Sequence, residues 1–200
     1  MHTANFAFLQ HCDTKYSNII SNASVIEFGS FNVNGTSRDI LKNYNSWVGI
    51  DWRNGPCVDF TSLVHEATLG EFDVVISCSM LEHDPYWALS IPNMIKHLKP
   101  SGVMILAWGA ANNPAHCEDT APDGKHHRLP AGKVLHILKK HNIYLHEFWY
   151  EGNFIDSGHV SENGMGEVCL VAFKDKTIAI GESHIDELSI DDTYRLKLLL

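Results

Sequence analysis

Three observations predict an α/β domain built on a doubly wound, mostly parallel sheet. Short apolar runs alternate with helix-spaced patterns along the chain. Two of those runs, "VVIS" and "VMILAW", are continuously apolar, as strands covered on both faces are. The 200 residues also contain no internal repeat, low-complexity tract or Pro/Ser linker that would divide them. One domain is therefore expected, with 1–23 as an N-terminal helical extension, 24–174 as the core and 175–200 as a C-terminal extension.

In chain order, "SVIEFG" (24–29), "SWVGID" (46–51), "FDVVISCS" (72–79), "GVMILAWGA" (102–110), "NIYLHEFWY" (142–150) and "EVCLVAFK" (167–174) read as strands. "CVDF" (57–60) is a weaker seventh. Between them, 35–45, 85–99 and 131–142 carry helical spacing. In the last, Val134, Leu135 and Leu138 line one side, opposite Lys133, Lys139 and Lys140. Pro92 interrupts the second pattern, which predicts a kink or a fresh start near Ile91. "KPSG" reads as the turn that ends it. The end of the chain, "LKLLL", has no place in the alternation; covering a core edge and meeting a second copy in a homodimer both remain open for it.

Composition excludes several functions. An apolar share of 44% and a charged share of 20% are those of a globular chain, not a disordered one. A formal charge of −9, with fifteen scattered cations, argues against nucleic acid as a partner, since phosphate-backbone binders cluster Lys and Arg. "KHLK" and "LKKH" lack the interleaved aromatics of a single-strand platform. No apolar run approaches the ~18 residues of a membrane span, and "MHTANFAFLQHCD" lacks the charged start and apolar core of a signal peptide. Cys12, Cys57, Cys78, Cys117 and Cys169 are odd in number and contain no CxxC, which suits free thiols in a reducing compartment. A cytoplasmic protein is expected.

The loop "EFGSFNVNG" follows the first strand and is glycine-bearing, as nucleotide-binding loops are. Gly29 and Gly35 have five residues between them, and Thr36 stands where a phosphate loop needs lysine. Against GxGxxG, only Gly29 fits. What remains is an acidic residue, Glu27, two before the first glycine. The second strand ends in "VGIDWR", which puts Asp51 twenty-two residues beyond Gly29, where a carboxylate can accept both ribose hydroxyls.

Together with "FDVVISCSMLEH", a helix and "LKPSG", these motifs resemble class I S-adenosylmethionine-dependent methyltransferases of the small-molecule type. The resemblance runs from about 25 to 106, with Ser101 in place of a more usual glycine, and beyond 110 it rests on the order of elements. It implies seven strands, the last antiparallel, and S-adenosyl-L-methionine as cofactor. It further implies Glu27 near the methionine amino end, Gly29 and Ser30 at the close backbone approach, and Asp51 on the ribose with Trp52 as an adenine wall. Ser62 and Leu63 would meet the adenine amino group, and Ser77, Ser79 and Met80 would floor the methionine. Glu82 and His83 would line the site, while Asp84 reads as a cap for the helix at Pro85.

Transfer of a methyl from a sulfonium needs a positioned nucleophile, dry surroundings and, for an oxygen or nitrogen acceptor, a base. The long polar segment 112–129 follows the fifth strand and so belongs at the ligand end of the sheet. Its His116, His126 and His127 are the candidate catalytic residues. The His, Cys and acidic residues there match no zinc spacing, and no metal is expected. "SCSM" after the fourth strand is not the Asn/Asp-Pro-Pro-Tyr/Phe motif of amino-methylating DNA enzymes, which leaves a small or sugar-like acceptor as the default. Two alternatives stay open: another S-adenosylmethionine-using enzyme such as a lyase, and a non-catalytic binding subunit.

Overall fold

The computed structural model describes residues 3–111, 113–116, 118–150, 153–154 and 166–177. The C-terminal stretch with its edge-covering or dimer role lies outside the described residues.

The helices are α1 (Thr3–Lys15), α2 (Ser17–Ile20), α3 (Trp87–Lys96) and α4 (Ala131–Lys140). The strands are β1 (Ser24–Phe28), β2 (Ser46–Asp51), β3 (Phe60–Thr61), β4 (Phe72–Cys78), β5 (Leu98–Gly109), β6 (Tyr144–Tyr150), β7 (Asn153–Phe154) and β8 (Glu167–Phe173). They form one sheet in the order β3-β2-β1-β4-β5-β8-β6-β7. Strands β1 to β5 are mutually parallel, and β8 runs antiparallel between β5 and β6. The seven expected strands are thus present with the last one antiparallel, and β7 adds a two-residue return onto β6.

Strand alternation sorts the core into two layers. Ile26, Phe28, Val75, Met104, Leu106 and Trp108 face α3 and α4, through Ile91, Met94, Ile95, Val134 and Leu138. Val25, Val74, Ile76, Val103 and Ile105 face the other way, onto Phe8, Leu9 and Cys12 of α1, Tyr16 in the turn between the helices, and Ile20 of α2. Helix α1 buries Asn5, Phe8, Leu9 and Cys12, the spacing of a single helical face. No helix among the described residues is long and apolar enough to cross a membrane.

Three local expectations are corrected, and a fourth is narrowed. The segment 35–45 is not an α-helix; it makes one 3₁₀ turn, Ser37–Asp39. Thr36 accepts the Arg38 amide, and Asn43 at φ 61° ends any helical path. The weak strand begins at Phe60 rather than at 57, because Cys57 has φ 70°, incompatible with an extended chain. "KPSG" is part of β5, where the six residues from Leu98 to Val103 oppose the three from Phe72 to Val74 as a bulge. Of the kink and the fresh start expected at Pro92, the fresh start is ruled out, since helix α3 runs on through it from Trp87 to Lys96.

Candidate functional site

The site forms where β1, β2 and β4 end side by side. Leaving β1, Gly29 takes φ 82°, and the amides of Gly29 and Ser30 both donate to the Ile50 carbonyl, at 2.8 and 3.0 Å. A Cβ on Gly29 would overlap the Met80 side chain, so only glycine lets the loop after β1 lie against the loop after β4. Asn32 then accepts the Gly35 amide at 2.9 Å, which closes the turn without any α-helix behind it.

Two buried carboxylates bracket this turn. Glu27 accepts the Trp47 indole N–H at 3.2 Å. Burial pushes its carboxyl up from 4.5 to about 7, against the opposing pull of Ser37, Trp47 and Arg38. Asp51 accepts the Arg53 amide at 2.9 Å and the Phe31 amide at 3.3 Å. Burial raises its pKa as well, partly offset by those amides.

Both acids open onto a cleft of about 1000 Å³, counting its solvent-facing mouth. Its floor is Cys78, Ser79 and Met80. Ser79 is held at φ 52°, and its hydroxyl accepts from the Asn5 amide of α1 at 2.8 Å. The segment after β5 forms the far wall through His116, Thr120 and Pro122. It is tied across the mouth by the Trp52 indole, which donates to the Thr120 carbonyl at 2.9 Å.

Glu27, Gly29, Ser30, Asp51 and Trp52 therefore lie on one cleft with Leu63, Ser79, Met80, His83 and His116. Five other expected residues do not line it. Ser77 is fully buried one position before Cys78, on the opposite face of β4. The Ser62 hydroxyl turns to the Leu63 carbonyl at 2.9 Å. Glu82 is buried behind the wall and accepts the Gly109 amide at 3.0 Å. His126 stands behind His116, and His127 pairs with Asp123 at 3.2 Å. Asp84 caps the entry to α3 by accepting the Tyr86 amide at 2.8 Å, and also borders the cleft.

Histidines gather at the wall. The ring centroids of His83 and His116 are 5.4 Å apart, those of His83 and His126 5.3 Å, and those of His116 and His126 4.7 Å. Burial, followed by the neighbouring His116, His126 and His127, lowers the His83 pKa to about 4.

Sequence reasoning missed Arg53, Cys78 and Thr120 among the lining residues. The Arg53 guanidinium lies 4.3 Å from the Phe31 ring centroid and 5.3 Å from that of Trp52, which stiffens the rim. The juxtaposition of Arg53 with Trp52 was the available signal there. Cys78 gave none, since it reads as one more apolar strand residue.

No family profile and no curated protein sequence matches the chain. Solved structures do share its architecture. The 1,6-didemethyltoxoflavin-N1-methyltransferase of Burkholderia thailandensis, bound to 1,6-didemethyltoxoflavin and S-adenosylhomocysteine, is similar at a TM-score of 0.60 and 11% identity, over 85% of this chain and 77% of that one. The N-methyltransferase NodS of Bradyrhizobium japonicum, in complex with S-adenosylhomocysteine, is similar at 0.54 and 14% identity, over 82% and 85%. The [4+2]-cyclase SpnF is similar at 0.57 and 14% identity, over 84% and 80%. The fold is that of the class I S-adenosylmethionine-dependent methyltransferases.

Proposed function

We propose that this protein is an S-adenosylmethionine-dependent methyltransferase acting on an oxygen or nitrogen of a small-molecule or sugar-like acceptor. The observation that carries this reading is the pair of buried acids, Glu27 and Asp51, at the carboxyl ends of adjacent parallel strands on one cleft. Asp51 supplies two carboxylate oxygens suited to a ribose diol, and Trp52 offers a ring edge to the base. Glu27 offers a carboxylate to the ammonium end of the methionine moiety, above the Ser79–Met80 floor. Nothing in the loop resembles a phosphate cradle, which suits a ligand without phosphates.

In the reaction the methyl carbon bonds to the acceptor as its bond to sulfur breaks, the electron pair staying on sulfur. The acceptor proton passes to a base. His116 is the member of the 116/126/127 set that borders the cleft, so it is assigned that role, with His126 packed behind it and His127 holding the loop. His83 lines the acceptor side.

Calorimetry with S-adenosylmethionine tests the cofactor. Micromolar binding that weakens at least about tenfold in Asp51→Ala is expected; no binding, or equal binding by the variant, overturns the reading. Isotopic label in the methyl group then distinguishes transfer from lysis by appearing, or not, on an added acceptor. The likeness to SpnF keeps the second outcome relevant, because that neighbour is a cyclase.

A further inference from the structure

We infer that Glu82, His83 and His116 form a binding site for one divalent transition-metal ion, with His126 beside it. One carboxylate oxygen and two imidazole nitrogens from these side chains lie within 4.8 Å of one another. Donors about 2 Å from a shared tetrahedral ion stand roughly 3.3 Å apart, so the groups need to close by at most roughly 1.5 Å. Side-chain rotation covers that distance.

Three features prepare the donors. Glu82 is buried, and its Oε1 is oriented by the Gly109 amide at 3.0 Å. His116 has Nδ1 at 2.9 Å from the Pro114 carbonyl. A carbonyl only accepts, so Nδ1–H donates to it and Nε2 is the ring nitrogen through which a metal would be bound; outer-shell bonds orient metal-binding histidines in this way. His83 is 7% exposed, and its buried Nδ1 has no hydrogen-bond partner, a costly arrangement that an ion nearby would explain.

The donor set selects the ion. Two imidazoles and one carboxylate suit zinc or ferrous iron, whereas calcium and magnesium prefer oxygen throughout. Because His83 and His116 border the cleft, an ion held by them would lie beside it. There the ion would polarise an acceptor hydroxyl and lower its pKa, taking over the task of a histidine base. That role rests on the methyl-transfer reading; the binding site itself does not.

Cobalt(II) is the probe, because its visible absorption reports coordination. Chelator-treated full-length protein should bind one equivalent, develop ligand-field bands and lose them when zinc is added. His83→Ala and His116→Ala should each weaken cobalt binding at least tenfold, while substitution of the exposed α4 histidine, His136→Ala, should not. His116 sits on a half-exposed loop, so its variant should fold, as circular dichroism would verify. Absence of cobalt binding overturns the inference, as does binding that survives both substitutions or is lost equally in His136→Ala. S-adenosylmethionine calorimetry on the same metal-free sample separates the two claims. Cofactor binding without cobalt binding removes only the metal site; the reverse removes only the methyl-transfer reading.

Discussion

Gly29 lies so close to Met80 that a side chain on the glycine would occupy the space of the methionine Cβ and Cγ. The glycine also has φ 82°, a region costly for other residues. Gly29→Ala should therefore destabilise the fold by about 1–3 kcal/mol from backbone strain alone, with overlap adding to it. Urea denaturation measures the loss. Met80 would be displaced toward the cleft, so ligand affinity should fall as well; unchanged stability would show that the two loops separate freely.

Asp51 braces its own surroundings through the Phe31 and Arg53 amides. Asp51→Asn keeps one acceptor but loses the charge and the second acceptor oxygen. We expect nucleoside-ligand affinity to fall by roughly tenfold or more, while folding stability changes by only about 1 kcal/mol. Calorimetry and denaturation on the same variant separate the two effects. A large stability loss with intact affinity would make Asp51 a loop brace alone.

Glu27 should impose a pH dependence on binding a cationic amino end. Its carboxyl titrates at about 7 in the free protein, raised chiefly by burial. A cation favours the ionised form, so affinity should rise as pH increases toward 7 and release a proton on binding at lower pH. Glu27→Gln should flatten that profile. In the unliganded protein the sign is opposite for stability: the raised pKa contributes stability below pH 4.5 that is lost as pH rises through about 7.

Glu147 of β6 acts at the other end of the pH range. Burial opposes its charge, but Lys15 at 2.7 Å, Tyr16, Trp149 at 3.0 Å and His11 at 2.9 Å outweigh that and hold it at about 2. A depressed carboxylate contributes stability above pH 4.5 that is lost as pH falls toward 2. The shift corresponds to roughly 3 kcal/mol. Acid unfolding of Glu147→Gln should lack this component, and Tyr16→Phe should lose part of it. Identical acid transitions in all three proteins would mean that α1 is held to β6 by apolar packing alone.

Much of the fold was legible because its signals are local. Apolar runs such as "VVIS" record burial on both faces, and Glu27, Gly29 and Asp51 occupy strand ends whose positions follow from the runs themselves. The helix expected at 35–45 failed for the same reason. Its apolar spacing was real, but Thr36, Asn43 and the reach of Arg38 to the Cys57 carbonyl at 3.0 Å favoured turns over a helix. The loop histidines could be assigned to the ligand end of the sheet, yet nothing in "HCEDTAPDGKHH" tells which ring meets the cleft.

By itself, then, the sequence determined the parallel α/β architecture, the two acidic strand ends and the close backbone approach at Gly29. Each depends on spacing within one or two adjacent elements. Only the tertiary structure decided that Cys78 rather than Ser77 faces the cleft, that Trp52 reaches across to Thr120, and that Glu82 and His83 stand beside His116. Those relations join segments more than thirty residues apart or depend on which face of a buried strand points inward. Sheet register and loop packing fix both, and neither leaves a periodic trace in the chain.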